Sequence, residues 1–154
     1  MEVQSILSPR RVLCGAQGGS KKRALETLAH HIAADIPTLN ADELFSSLIA
    51  RERLGSTGIG KGIAIPHCRL ANCTGTLGAL ITLQDPIDFD AIDGEPVDII
   101  FALLVPDEAN DEHLQTLAGL AEKFSNPGYL AELRRADNSQ ALFEAAVGET
   151  TVTP

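Results

Sequence analysis

Residue types that handle phosphate crowd into one short stretch of this chain. Arginines stand at 51 and 53, hydroxyls at Ser56 and Thr57, glycines at 55, 58, 60 and 62, and an imidazole at His67. Glycine adopts backbone conformations closed to other residues, so the loop Gly-Ser-Thr-Gly-Ile-Gly can turn N–H groups toward an anion. Ser56, Thr57, Gly58 and Gly60 are therefore candidates for holding a phosphoryl group. The following Ile63-Ala64-Ile65 reads as a short strand, and Pro66, with no N–H to donate, is expected to stop its ladder. His67 then falls at a strand exit, facing solvent. Imidazole is a nucleophile near neutral pH, and beside an anion-binding loop it points to phosphoryl chemistry at nitrogen.

Gly55 to Lys61 also fits the opening of a nucleotide-binding loop, G-x-x-x-x-G-K. Such a loop needs Ser or Thr next to hold magnesium, then a helix whose N-terminus faces the phosphates. Here Gly62 and a β-branched run ended by proline follow, so both requirements fail. His113 is a second candidate, in the first turn of a helix expected after the most apolar strand. Ligands of open α/β sheets sit beyond the carboxyl ends of strands, where helix N-termini gather. There it can bond a phosphoryl group or orient His67, or stand solvated beside Asp111 and Glu112. Arg51 and Arg53 end a helix, where any cation is favourable. One of them can fold over the loop and grip a phosphoryl group with forked hydrogen bonds. They lie about 200° apart on the helix, so both are not expected to reach inward. His30 and His31 have no partner in the sequence. Cys14, Cys68 and Cys73 suit neither a disulfide framework nor a four-ligand zinc site, and no metal or cofactor is required.

The scaffold must come from a chain of 154 residues, 44% hydrophobic and 21% charged, which suits one globular domain spanning 1–154. A net charge of −9 disfavours nucleic acid as a partner and suits a basic protein. No apolar run approaches a bilayer span and the N-terminus is no signal peptide, so no membrane insertion and a cytoplasmic location are expected. One helix is expected from an Ser20 N-cap to about Ala34, with Leu25, Leu28, Ala29 and Ile32 on one face. A second begins after Asn40, buries Leu44, Phe45, Leu48 and Ile49, and runs to about Arg53. Strands are expected at Ile63–Ile65, Thr76–Leu83, near Ile87–Phe89, and at Val97–Val105, the last nearly continuous in apolar residues and so covered on both faces. Helices at about Asp111–Phe124, Tyr129–Ala136 and Ser139–Val147 precede a frayed tail, Gly148–Pro154. The fold class is α/β (α+β), a single-domain sandwich with a mixed central sheet flanked by helices on both sides.

The stretch from Arg51 to His67 closely resembles the type-2 enzyme IIA domain of the bacterial phosphoenolpyruvate:sugar phosphotransferase system, most of all its nitrogen-regulatory branch. The likeness continues through Pro86-Ile-Asp-Phe-Asp-Ala-Ile-Asp-Gly-Glu-Pro-Val-Asp-Ile-Ile-Phe-Ala-Leu-Leu-Val-Pro106 and His113-Leu-Gln-Thr-Leu, and covers a core of roughly 5–147. The resemblance implies that His67 accepts a phosphoryl group at Nε2 from an HPr-like phosphocarrier protein (NPr). It implies that His113 faces His67 and that Arg51, not Arg53, is the supporting arginine. It implies a regulatory output through protein targets such as sensor kinases or ion-transport subunits. The alternatives are a sugar-branch enzyme IIA serving a separate IIB component, and a binding module without chemistry. One position departs from the family: Cys68 follows the histidine where glycine is common. It puts a thiol next to the phosphoryl site and allows the hypothesis of redox sensitivity.

Overall fold

A computed structural model describes residues 3–148 except Asn72, Thr74 and 108–110, and only the backbone of 111–114. The elements in chain order are α1 (Val3–Ile6), a 3-10 turn (Pro9–Arg11), β1 (Val12–Ala16), α2 (Lys21–Asp35) and α3 (Ala41–Leu54). Strands β2 (Gly58–Gly60), β3 (Ile63–Ala64), β4 (His67–Leu70), β5 (Leu77–Ile87) and β6 (Val97–Pro106) follow. Helices α4 (Asp111–Lys123), α5 (Pro127–Arg135) and α6 (Ser139–Val147) complete the described chain. The sheet order is β1-β5-β6-β3-β2, with β4 also on β6. β5 and β6 run antiparallel, as do β2 and β3, whereas β1/β5, β3/β6 and β4/β6 are parallel. Among the described residues, no helix is long and apolar enough to cross a membrane.

β6 explains the two-sided architecture. Its side chains alternate, so Ile100, Ala102 and Leu104 join a core with Leu25, Leu28 and Ile32 of α2 and Leu44 and Leu48 of α3. Ile99, Phe101, Leu103 and Val105 join the opposite core with Leu120 of α4, Phe124 just after it, Tyr129 and Leu130 of α5 and Leu142 of α6. A strand apolar from Ile99 to Val105 is thus buried on both faces, as its sequence requires. The helix starts follow local chemistry. Ser20 Oγ accepts from Arg23 N at 3.2 Å and Asn40 Oδ1 from Glu43 N at 3.0 Å, each closing an otherwise unpaired first turn.

Three sequence expectations need correction. Pro66 does not stop its ladder. β3 pairs Ile63 with Ile99 and β4 pairs His67 with Leu103, so the same register with β6 continues across the proline. Pro66 lacks one donor, but its carbonyl still accepts from Leu103 N at 2.8 Å, and one missing bond is tolerated beside the edge of a sheet. His67 therefore opens a strand instead of ending one. Thr76–Leu83 and Ile87–Phe89 are not separate strands either; β5 runs from Leu77 to Ile87 across a register shift between Thr82 and Ile87 that leaves Gln84, Asp85 and Pro86 exposed, and Asp88 and Phe89 lie beyond its end. Third, β1, β2 and β4 were not expected at all. The remainder of the expected tail, 149–154, lies outside the described residues.

Candidate functional site

The site forms where the end of α3 meets the β3–Pro66–β4 edge. In the last turn of α3, Arg51 is half-buried, Glu52 buried and Arg53 exposed, which is the fan expected of 100° steps. Gly55 caps the helix, its N–H donating to Glu52 O at 3.2 Å. Arg51 Nη1 donates to Gly55 O at 2.9 Å, which holds the guanidinium against the helix end and aims its Nε at His67 Nε2, 3.2 Å away. Arg53 lines a separate open hollow with Lys22 and Phe45.

His67 is half-buried, and its two ring nitrogens have different partners. Nδ1 lies 3.3 Å from Ile65 O, and a carbonyl can only accept, so the proton sits on Nδ1. Arginine can only donate, so Nε2 offers its lone pair to Arg51. The geometry thus selects the neutral Nδ1–H tautomer, with the nucleophilic pair on Nε2. The contact at 3.2 Å is at the long end for a hydrogen bond and easily given up to an incoming phosphorus.

The glycine-rich segment folds as an antiparallel hairpin, β2 and β3, and its polar groups bond within the protein. Thr57 N donates to Glu52 Oε1 at 3.2 Å, and Thr57 Oγ1 donates to Glu52 Oε2. Ser56 Oγ donates to Phe89 O at 2.6 Å and accepts from Gly58 N at 3.0 Å. Gly58 O accepts from Ile92 N at 3.1 Å. Gly60 precedes the hairpin tip, where Lys61 N donates to Asp93 Oδ2 at 2.9 Å. That bond and a second from Glu95 N hold the Asp93 carboxyl below its ordinary value. The glycines answer to packing: a Cβ at Gly58 would stand 2.8 Å from the Cβ of Ala91, and Gly62, at φ +81°, leaves no room beside Arg134 and Asp98.

His113 falls in the first turn of α4, beyond the carboxyl end of β6; its side chain lies outside the described residues. Cys68 occupies the opposite face of β4 from His67 and is buried among the α2/α3 core. Burial, with the nearby Cys73 adding to it, pushes its thiol up to about 12. A thiol next to the phosphoryl site does not fit this placement, because neighbouring residues of a strand point to opposite faces, and burial disfavours the redox hypothesis.

Residues 5–146 match the family model described as phosphoenolpyruvate-dependent sugar phosphotransferase system, EIIA 2. The chain belongs to this family. It is 46% identical over 147 residues to a nitrogen regulatory protein of Pseudomonas aeruginosa, covering 96% of each. It is 38% identical over 155 residues to the nitrogen regulatory protein of Escherichia coli, covering 100% of this chain and 94% of the relative. The crystal structure of nitrogen regulatory protein IIA-Ntr from Neisseria meningitidis superposes with a TM-score of 0.86 at 38% identity, covering 94% of this chain and 98% of that one. The mixed α/β sandwich is thus the fold of this type-2 enzyme IIA.

Two residues of the site escaped the sequence reading. Glu52 and Lys21 form an ion pair at 2.8 Å directly behind the loop. A signal for Glu52 was present: with Leu44 and Leu48 it continues the buried stripe of α3 at steps of four, an acidic group where an apolar one is due.

Proposed function

We propose that this chain is a regulatory phosphoryl carrier whose His67 takes a phosphoryl group at Nε2 from the phosphohistidine of an HPr-like carrier. The observation that carries the reading is the placement of the half-buried His67 ring, with Nδ1 3.3 Å from Ile65 O and Nε2 accepting from Arg51 Nε at 3.2 Å. Attack by that pair forms the new N–P bond while the bond to the donor imidazole breaks and its electrons return to the donor ring. Positive charge gathering on the His67 ring is shared through Nδ1–H with the Ile65 carbonyl. The bound phosphoryl group adds about two negative charges. Arg51 releases Nε2 and turns its donors to the phosphoryl oxygens, with the N-terminal turn of α4 and His113 as further positive or donating partners. Ser56, Thr57, Gly58 and Gly60 act in this reading by fixing the loop, since several of their groups already bond within the protein.

The surface around the site suits a protein donor. Leu54, Ile59 and Ile92 are exposed apolar residues at the end of α3, on β2 and on the loop bonded to β2. That loop also exposes Asp88, Asp90, Asp93 and Glu95, an acidic rim for a basic partner. The relatives named nitrogen regulatory protein favour a regulatory output, read by protein targets through the phosphorylation state, over service to a sugar-specific IIB component.

The test is transfer from phosphoenolpyruvate through purified enzyme I and the HPr-like carrier. Wild type is expected to take label and His67→Ala none. Equal labelling of the two would overturn the assignment.

A further inference from the structure

Glu52 is an awkward residue for a helix end. Its carboxylate sits in the last turn of α3, at the negative end of the helix dipole, with its side chain only 4% exposed. Burying a charge there is costly unless it is paired and its oxygens are bonded. Both conditions are met. Lys21 Nζ lies 2.8 Å from Oε1, and Thr57 supplies its N–H to Oε1 and its hydroxyl to Oε2.

The bonds continue beyond Thr57 to the reacting ring. Thr57 O accepts from Ile65 N at 3.0 Å, and Ile65 O is the acceptor for Nδ1–H of His67. On the other side Arg51, adjacent to Glu52 in the same turn, bonds Nε2. Both nitrogens of the imidazole are therefore placed from one point. Glu52 fixes Thr57, which fixes the Ile65 carbonyl, and its anchoring of the helix end fixes the base of Arg51.

We propose that Glu52, paired with Lys21, is a positioning residue for His67 that sets its Nδ1–H tautomer and aligns Nε2 for transfer. The proposal rests on His67 being the phosphoryl acceptor. Glu52 touches no reacting atom; it acts through Thr57 and Arg51.

The decisive variant is Glu52→Gln in the full chain. Glutamine can accept the Thr57 N–H but brings a donor to the Thr57 hydroxyl and leaves Lys21 with only the exposed Asp90 carboxylate, 3.7 Å away, as counter-charge. Two readouts are needed. Nitrogen NMR of the His67 ring reports the tautomer without any phosphoryl transfer, and stopped-time labelling gives kcat and KM for the carrier separately. Expected are a gain of the Nε2–H form and a fall in kcat of about tenfold to 100-fold, the effect of a displacement near 1 Å, with little change in KM. Lys21→Met is expected to move both readouts the same way, and serves if Glu52→Gln does not fold. As a structural control, Asp35→Asn disturbs the buried Arg11–Asp35 pair remote from the loop and is expected to lower stability while leaving the tautomer unchanged. A wild-type tautomer in folded Glu52→Gln or Lys21→Met, a loss confined to KM, or the same tautomer change in Asp35→Asn would each overturn the proposal. Failure of wild type itself to take label at His67 would instead overturn the acceptor assignment, and the tautomer measurement separates the two.

Discussion

Replacing Arg51 tests how charge is handled at the moment of transfer. In the resting protein its Nε–His67 contact is long, 3.2 Å, so little is lost there. In the proposed phosphorylated state, a guanidinium would face a group of about two negative charges. One pair of unit charges about 4 Å apart interacts by about 4 kcal/mol at an effective dielectric near 20. Both groups touch solvent, and screening cuts this to about 2 kcal/mol. Arg51→Met should therefore slow transfer about 30-fold. Arg51→Lys keeps the charge but a single ammonium cannot hold Gly55 O and reach Nε2 together, so it loses one hydrogen bond, about 1 kcal/mol or roughly fivefold. The assay is single-turnover transfer from labelled carrier, with melting curves confirming that each variant is folded. Arg51→Met within about threefold of wild type, or Arg51→Lys slower than Arg51→Met, would refute the electrostatic reasoning and leave Arg51 as a helix-end anchor.

Gly58→Ala puts a methyl 2.8 Å from the Cβ and 2.9 Å from the Cα of Ala91, backbone that cannot yield cheaply. A loss of about 1–3 kcal/mol is expected in a denaturant melt, and an unchanged midpoint would show slack in the β2 packing. Mild peroxide should leave the transfer rate unaltered, because the Cys68 thiol is buried and pushed up to about 12; inhibition abolished by Cys68→Ala would contradict this. The same burial gives a sign for alkaline pH: the unfolded thiol ionises from its ordinary value of 9.0 and the folded one only near 12, so stability drains between those limits as pH rises. At about pH 10.5 the cost from this thiol is about 2 kcal/mol, and urea titrations should show Cys68→Ala spared that decline.

What could be read in advance followed from periodicity and caps. α2 and α3 announced themselves by stripes at steps of three and four and by Ser20 and Asn40 as caps, whereas the caps of α5 and α6, Asn126 and Asn138, emerge from the structure. β6 announced itself by its nearly continuous apolarity. The strands that escaped are those whose pairing is decided elsewhere in the chain. β1 is held by β5 from far away, and Cys14 N and Gly15 N reach the hydroxyls of Ser139 and Thr82. β2 carries glycines, which favour no strand, and is specified by Ala91 and by the hairpin with β3. At the candidate site, a loop leading to His67 beside the end of α3 could be read in advance, whereas the partners of the loop groups, such as Glu52 for Thr57 N, could not. Whether a loop amide faces an anion or a carboxylate of its own chain depends on Glu52 being buried behind it, a tertiary fact.

The interruption at Pro66 explains why the imidazole sits as it does. Ile65 precedes a proline, which confines it to extended backbone and so fixes the direction of its carbonyl. Its N–H is taken by Thr57 O on the side of β2. In an extended strand the N–H and C=O of one residue point the same way, so the Ile65 carbonyl also faces away from β6. β2 pairs with β3 only as far as Gly58, opposite Ala64, and provides no ladder donor beyond. The carbonyl of Ile65 is thus left at the point where the hairpin departs, and the ring two residues on turns back to fill it. A ring held this way must carry its proton on Nδ1, which leaves Nε2 to accept from Arg51 while the other edge of the half-buried ring is fixed. A histidine deeper in β4 would be sealed from a protein donor, and one on a free loop would lose control of its tautomer. The edge of the sheet, at the place where its outer hairpin stops, meets both requirements.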